Sequence, residues 1–166
     1  MQKRTRIEYL WLDGRDPLPR VRSKTRFVNT EAGIPEWNFD GGSTEQGSLE
    51  DSDRLLRCVR TYTDPFNEGG LLAFCEVMYY TGAPHETNTR THLAALTKDL
   101  EGILVGFEQE FTLINPATMK PLGYLLSPQK QGQYYCGAGC MNVIGRHIIN
   151  EFEEKCLKAG IELDGI

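Results

Sequence analysis

From Ile103 to Ile114 the chain reads Ile-Leu-Val-Gly-Phe-Glu-Gln-Glu-Phe-Thr-Leu-Ile, and the apolar side chains recur with a two-residue period for nearly the whole stretch. That period is the signature of a β-strand. Ile103, Val105, Phe107, Phe111 and Leu113 then share one face, and Glu108 and Glu110 stand together on the other. On such a strand their Cα atoms lie roughly 6.5 Å apart. Two carboxylates buried at that spacing raise each other's pKa unless a cation sits between them, and a hard divalent ion such as Mg²⁺ or Mn²⁺ suits the oxygen ligands. The same pattern also describes the solvated polar face of an edge strand. It is compatible as well with the carboxyl pair of a retaining glycosidase, set about 5 Å apart, although no other residue points to a sugar site. Spacing alone does not separate these readings.

The whole sequence of 166 residues has room for one domain or two small ones. Ile7 to Leu12 reads as a strand stopped by Asp13-Gly14, and Arg20 to Val28 as its hairpin return after Pro17-Leu18-Pro19. Ile34 to Gly47 mixes glycine with Trp37 and Phe39, which suits an ordered loop. Asp53 to Tyr62 favours an extended segment that ends at Asp64-Pro65, and Leu71 to Tyr80 a buried strand between Gly69-Gly70 and Gly82-Ala83-Pro84. A helix capped at Thr89 and carrying Leu93, Leu96 and Leu100 leads into a second unit, so a boundary is expected near residue 90. Met141, Ile144, Ile148, Phe152 and Cys156 mark one face of a second helix, with Gly160 as its left-handed stop and a strand-like pattern after it.

Eighteen Lys and Arg against 23 Asp and Glu leave a net charge of −5, which argues against nucleic acid as a partner. The most apolar stretch, residues 69–80, is short of the roughly 20 residues of a membrane span, and Glu8 breaks the only signal-like start. Five cysteines form an odd set, as expected of free thiols in a reducing, cytoplasmic setting.

Outside the Glu-Gln-Glu segment, Asp40 in Trp37-Asn38-Phe39-Asp40-Gly41-Gly42 can serve as a base or cation ligand, or simply as a turn residue capping its own backbone. Arg22, Lys24 and Arg26 share one strand face, either to meet an anion or as edge charges that discourage aggregation. The three histidines have no ligand spacing, and Cys136-Gly-Ala-Gly-Cys140 has one residue too many between its thiols for a zinc ribbon. Tyr134-Tyr135-Cys136-Gly137-Ala138-Gly139 lacks the Lys-Ser/Thr of a phosphate loop.

Taken in order, these segments resemble glutamine synthetase of the eukaryotic type. The resemblance rests on residues 7–14, Arg22-Ser23-Lys24-Thr25-Arg26, Pro35-Glu36-Trp37-Asn38-Phe39-Asp40-Gly41, Glu50-Asp51-Ser52, Asp64-Pro65-Phe66, residues 106–113, Pro121-Leu122-Gly123 and residues 131–139. It implies an α+β chain: an N-terminal β-grasp domain over 1–90, then over 91–166 the beginning of a catalytic domain built as an open β-barrel with outer helices. It implies a ligase that forms γ-glutamyl phosphate from L-glutamate and ATP and lets ammonia displace the phosphate, in a homo-oligomeric, decameric ring. Glu108 and Glu110 match metal ligands for Mg²⁺ or Mn²⁺, Glu108 also lying beside ATP. Asp40 matches the catalytic loop aspartate that reaches a neighbouring subunit's site and helps bind and deprotonate ammonium.

Two positions depart from the family pattern. Gly42 stands for the usual serine and Gln133 for the usual proline, and both changes loosen a loop. The chain also stops before the family's second pair of metal glutamates, its metal histidine and its substrate arginines. The resemblance thus implies an incomplete catalytic domain, inactive alone and weak in Mg²⁺ binding, or a non-catalytic module that associates with full-length subunits.

Overall fold

A computed structural model describes residues 4–29, 31, 33–123, 135–139 and 142–166. By internal contact the chain divides into two units, one of residues 1–101 with 158–161 and the other of residues 102–157 with 162–166.

The first unit is built on β1 (Thr5–Leu12), β2 (Val21–Val28), β3 (Trp37–Asp40), β4 (Asp53–Thr63) and β5 (Leu71–Tyr79), followed by α1 (Thr89–Thr97). They form one mixed sheet in the order β2-β1-β5-β4-β3. Only β1 and β5 run parallel; the other pairs are antiparallel. Alternation buries one face: Ile7, Tyr9 and Trp11 of β1, Ala73, Cys75 and Val77 of β5, Leu56 of β4 and Phe39 of β3 make one cluster. Ring packing knits it together, with Trp11 4.8 Å from Phe39 and Tyr9 5.3 Å from Trp37. The buried Tyr9 hydroxyl donates to the Pro35 carbonyl at 2.8 Å, which satisfies the one polar atom that its ring brings into the core.

The expected hairpin of β1 and β2 forms in full register, Thr5 opposite Val28 through Leu12 opposite Val21. That register sets Arg22, Lys24 and Arg26 opposite Trp11, Tyr9 and Ile7, on the core side of the sheet. They are neither idle edge charges nor a free anion site. Arg22 pairs with Asp13 at 2.9 Å, and Lys24 lies 3.7 Å over the Trp37 ring while donating to the Asn38 carbonyl at 2.9 Å. β3 was hidden inside a stretch whose glycine content reads as loop. It forms because Trp37 and Phe39 face the core and the strand pairs with β4, Trp37 opposite Leu56.

Asp64 of the Asp-Pro-Phe motif is a structural residue. Its buried carboxylate accepts from the Phe66 and Asn67 N–H groups, the Asn67 amide and Arg6. α1 starts one residue earlier than expected, because Asn88 rather than Thr89 caps it, accepting from the Thr91 N–H at 3.1 Å. Its Leu93 and Leu96 are exposed.

In the second unit β6 (Ile114–Asn115) and β7 (Lys120–Pro121) form a short hairpin, and α2 spans Arg146–Ala159. The expected strand over 103–114 does not form: only Ile114 enters a ladder, and Leu104, Phe107 and Phe111 are exposed. Among the described residues no strand runs beside 103–113, and an extended segment without a neighbour has no ladder to hold it. The same reason leaves 161–166 without strand structure. Gly160 adopts the expected left-handed φ of 81°. On the apolar face of α2, Cys156 is buried while Ile148 and Phe152 remain half-exposed, and Met141 lies outside the described residues.

Candidate functional site

Asp40 ends β3 and caps the 3₁₀ turn Gly41–Thr44. One carboxylate oxygen accepts from the Gly42 N–H at 3.1 Å and the other from the Ser43 hydroxyl at 2.6 Å. Both the capping role and the availability to a ligand are realised together, since the side chain is exposed. The Ser43 hydroxyl, followed by the Gly42 N–H, stabilises the charged form and holds the Asp40 carboxyl below its ordinary range. It is a persistent anion at neutral pH, suited to hold a cation.

The turn behind Asp40 is held by residues that sequence reasoning passed over. Thr44 and Gln46 are buried and hydrogen-bonded to each other at 3.0 Å. Gln46 also donates to the Leu12 carbonyl at 3.1 Å and to the Thr87 hydroxyl at 2.9 Å, tying the turn to β1 and to the segment before α1. Buried Arg54 on β4 donates to the Gln46 carbonyl and, at 2.7 Å, to the Asp53 carbonyl. His85 hydrogen-bonds Thr87 at 2.9 Å, and burial lowers its pKa. None of these residues has a periodic signal; only their burial as polar groups marks them.

Glycine is needed at one point in this turn and at one point packed against it. A Cβ on Gly41 would sit 2.8 Å from the Arg54 stem and 2.9 Å from two backbone oxygens, and one on Gly14 only 2.1 Å from the Glu45 carbonyl oxygen. At Gly42 a Cβ would meet only the Asp40 carboxylate, at 3.2 Å, and that exposed side chain can give the few tenths of an ångström required without leaving its hydrogen bonds. Gly42 therefore departs from the serine of the family pattern without a steric demand. Gly42→Ser is expected to leave the unfolding free energy measured in urea within about 0.5 kcal/mol of the parent; a loss beyond about 2 kcal/mol would show that the turn needs glycine there.

Glu108 and Glu110 are exposed, and their segment carries no strand to fix them on one face. Among the described residues no three His, Cys, Asp or Glu side chains gather closely enough to hold a metal ion. The two glutamates as placed here therefore do not make a metal site by themselves. Gln133 and Tyr134 lie outside the described residues; Cys136 is exposed. No helix among the described residues is long and apolar enough to cross a membrane.

No protein-family model matches the chain. Curated relatives do. It is 37% identical over 167 residues to a glutamine synthetase of Streptomyces hygroscopicus, covering 97% of this chain and 48% of the relative. It is 39% identical over 171 residues to the glutamine synthetase of Bradyrhizobium diazoefficiens, with 97% and 48% covered. To that of Emericella nidulans it is 39% identical over 168 residues, with 96% and 46% covered. The chain thus spans about half the length of the curated relatives it matches. Identity at this level along nearly all of its residues, from bacterial and fungal relatives alike, places the chain in the glutamine synthetase family, in line with an N-terminal portion of such a protein.

Proposed function

We propose that these residues form the part of a glutamine synthetase that carries the ammonium-site loop and two of the metal-binding glutamates. The reaction is the ATP-dependent ligation of ammonia to L-glutamate through γ-glutamyl phosphate. In this reading residues 1–90 are a β-grasp domain, and residues 91–166 open the catalytic barrel. The half of the family's length that the chain does not span supplies the strands beside residues 103–113 and the other ligands. Glutamine synthetases generally use Mg²⁺ or Mn²⁺ with ATP, the ions neutralising charge on the phosphoryl oxygens.

The observation that carries the reading is 37–39% identity along 97% of the chain. The Asp40 turn supports it. An exposed carboxylate on a rigidly anchored turn, kept ionised by Ser43 and Gly42, offers a fixed negative charge to ammonium. Its lowered pKa makes it a better cation ligand than a base, so its part is first to bind and orient ammonium.

The test replaces the matching half of the Bradyrhizobium enzyme with residues 1–166 and measures phosphate release that requires glutamate, ammonium and ATP. The chimera is expected to be active. Glu108→Ala should lower kcat/KM by roughly 100-fold or more, and Asp40→Ala should act chiefly through the ammonium KM. A folded chimera without activity, or one indifferent to Glu108→Ala, would sink the reading.

A further inference from the structure

Cys58 of β4 and Cys75 of β5 are direct partners in the antiparallel ladder. Opposed residues of such a ladder point to the same face, with Cα atoms about 4.5 or 5.5 Å apart. Both distances fall inside the window of about 4.4–6.8 Å in which a disulfide closes without moving the backbone. The two side chains do meet. Cys75 belongs to the buried cluster, and Cys58 packs against it from the half-buried side. Each also reaches a carbonyl of its own strand, Cys75 that of Ala73 at 3.2 Å and Cys58 that of Arg60 at 3.5 Å. The pairing register slips between Cys58 and Arg60, so the pair sits at the β-bulge of the longest ladder in the sheet.

We propose that Cys58 and Cys75 form a redox modification site, a cross-strand dithiol that closes to a disulfide by exchange with a small-molecule disulfide. The more accessible Cys58 thiolate attacks one sulfur of the small disulfide, breaking its S–S bond, forming a mixed disulfide and releasing one small thiolate. Cys75 then gives up its proton and attacks Cys58 Sγ, which expels the second small thiolate. Two protein thiols are oxidised, one small disulfide is reduced to two thiols, and the two protons pass to the leaving sulfurs. Burial, with Cys58 next to it, pushes the Cys75 thiol up to about 12, and burial also raises Cys58. Little thiolate is present in either case. The site therefore responds to a sustained redox poise rather than to a brief pulse of oxidant. When closed, it clamps β4 to β5 beside the bulge, on the strand whose Arg54 anchors the Asp40 turn.

The experiment equilibrates the purified chain in glutathione buffers of rising oxidised fraction, quenches it with an alkylating agent and maps tryptic peptides. Two of the five thiols should be lost together, and the peptide Cys58–Arg60 should appear joined to the peptide Thr61–Arg90. Cys75→Ser should leave Cys58 as a persistent mixed disulfide with glutathione, and Cys58→Ser should leave Cys75 open to alkylation once unfolded. Recovery of both thiols alkylated, at an oxidised fraction that links cysteines in the urea-unfolded chain, overturns the proposal. So does pairing of either one with Cys136, Cys140 or Cys156.

Discussion

Gly14→Ala should destabilise the first unit by about 3 kcal/mol, the upper end of what overpacking costs. The added Cβ would lie 2.1 Å from the Glu45 carbonyl oxygen and 2.9 Å from the Gln46 side chain. The first is backbone and cannot swing aside as a side chain does. Relief requires the turn to move away from β1, which breaks the hydrogen bond from the Gly14 N–H to the Thr44 carbonyl, now 2.8 Å, and loosens Gln46 from the Leu12 carbonyl. Both tryptophans of the chain, Trp11 and Trp37, lie in or against the core of this unit, so their fluorescence in urea reports its unfolding. A midpoint unchanged from the parent would mean that the turn has slack the packing does not show. Because the displaced turn carries Asp40, the same substitution in the active chimera should raise the ammonium KM.

Asp13→Ala should cost about 2 kcal/mol near neutral pH, because it removes the buried carboxylate that accepts from the Arg15 and Arg20 N–H groups and the Arg22 guanidinium. Burial alone would raise the Asp13 carboxyl. The Arg20 and Arg15 N–H groups and the Arg22 guanidinium outweigh it and hold the pKa below the ordinary value. A carboxyl whose folded pKa is depressed contributes stability above its unfolded value, about 3.9, and loses it as pH falls through the lower folded value. The gap between parent and Asp13→Ala should therefore be full at pH 7 and shrink in strong acid. His85 acts in the same direction from a higher pH. Burial lowers its pKa, so the folded state resists the proton that the unfolded chain takes up below about 6.5. Urea midpoints of parent and variant across that range check both signs; a gap that widens in acid would show that Asp13 is not held as an ionised acceptor.

The first unit was largely legible because four of its five strands carry their own pattern. Residues 7–12, 20–28, 53–62 and 71–80 read as extended and appear as β1, β2, β4 and β5 within a residue or two. β3 was not legible: four residues beside a glycine-rich turn give too short a period, and only pairing with β4 makes Trp37–Asp40 a strand. Residues 103–114 show the opposite case. Their alternation is the clearest in the chain, yet a periodic pattern states only which face would be buried, and a strand exists only where a second one bonds to it.

By itself the sequence determined the α+β character, the Asp40 and Glu108/Glu110 candidates and, through motifs in order, the family. Those rest on local periodicity and on residue identity, which need no partner. Tertiary structure alone decided that Arg22 and Lys24 roof the core, that Thr44, Gln46 and Arg54 anchor the Asp40 turn, and that Cys58 meets Cys75 across a ladder. The dithiol and the roofing charges depend on strand register and the turn on buried polar contacts between elements, and both are set by which side chains can be buried together.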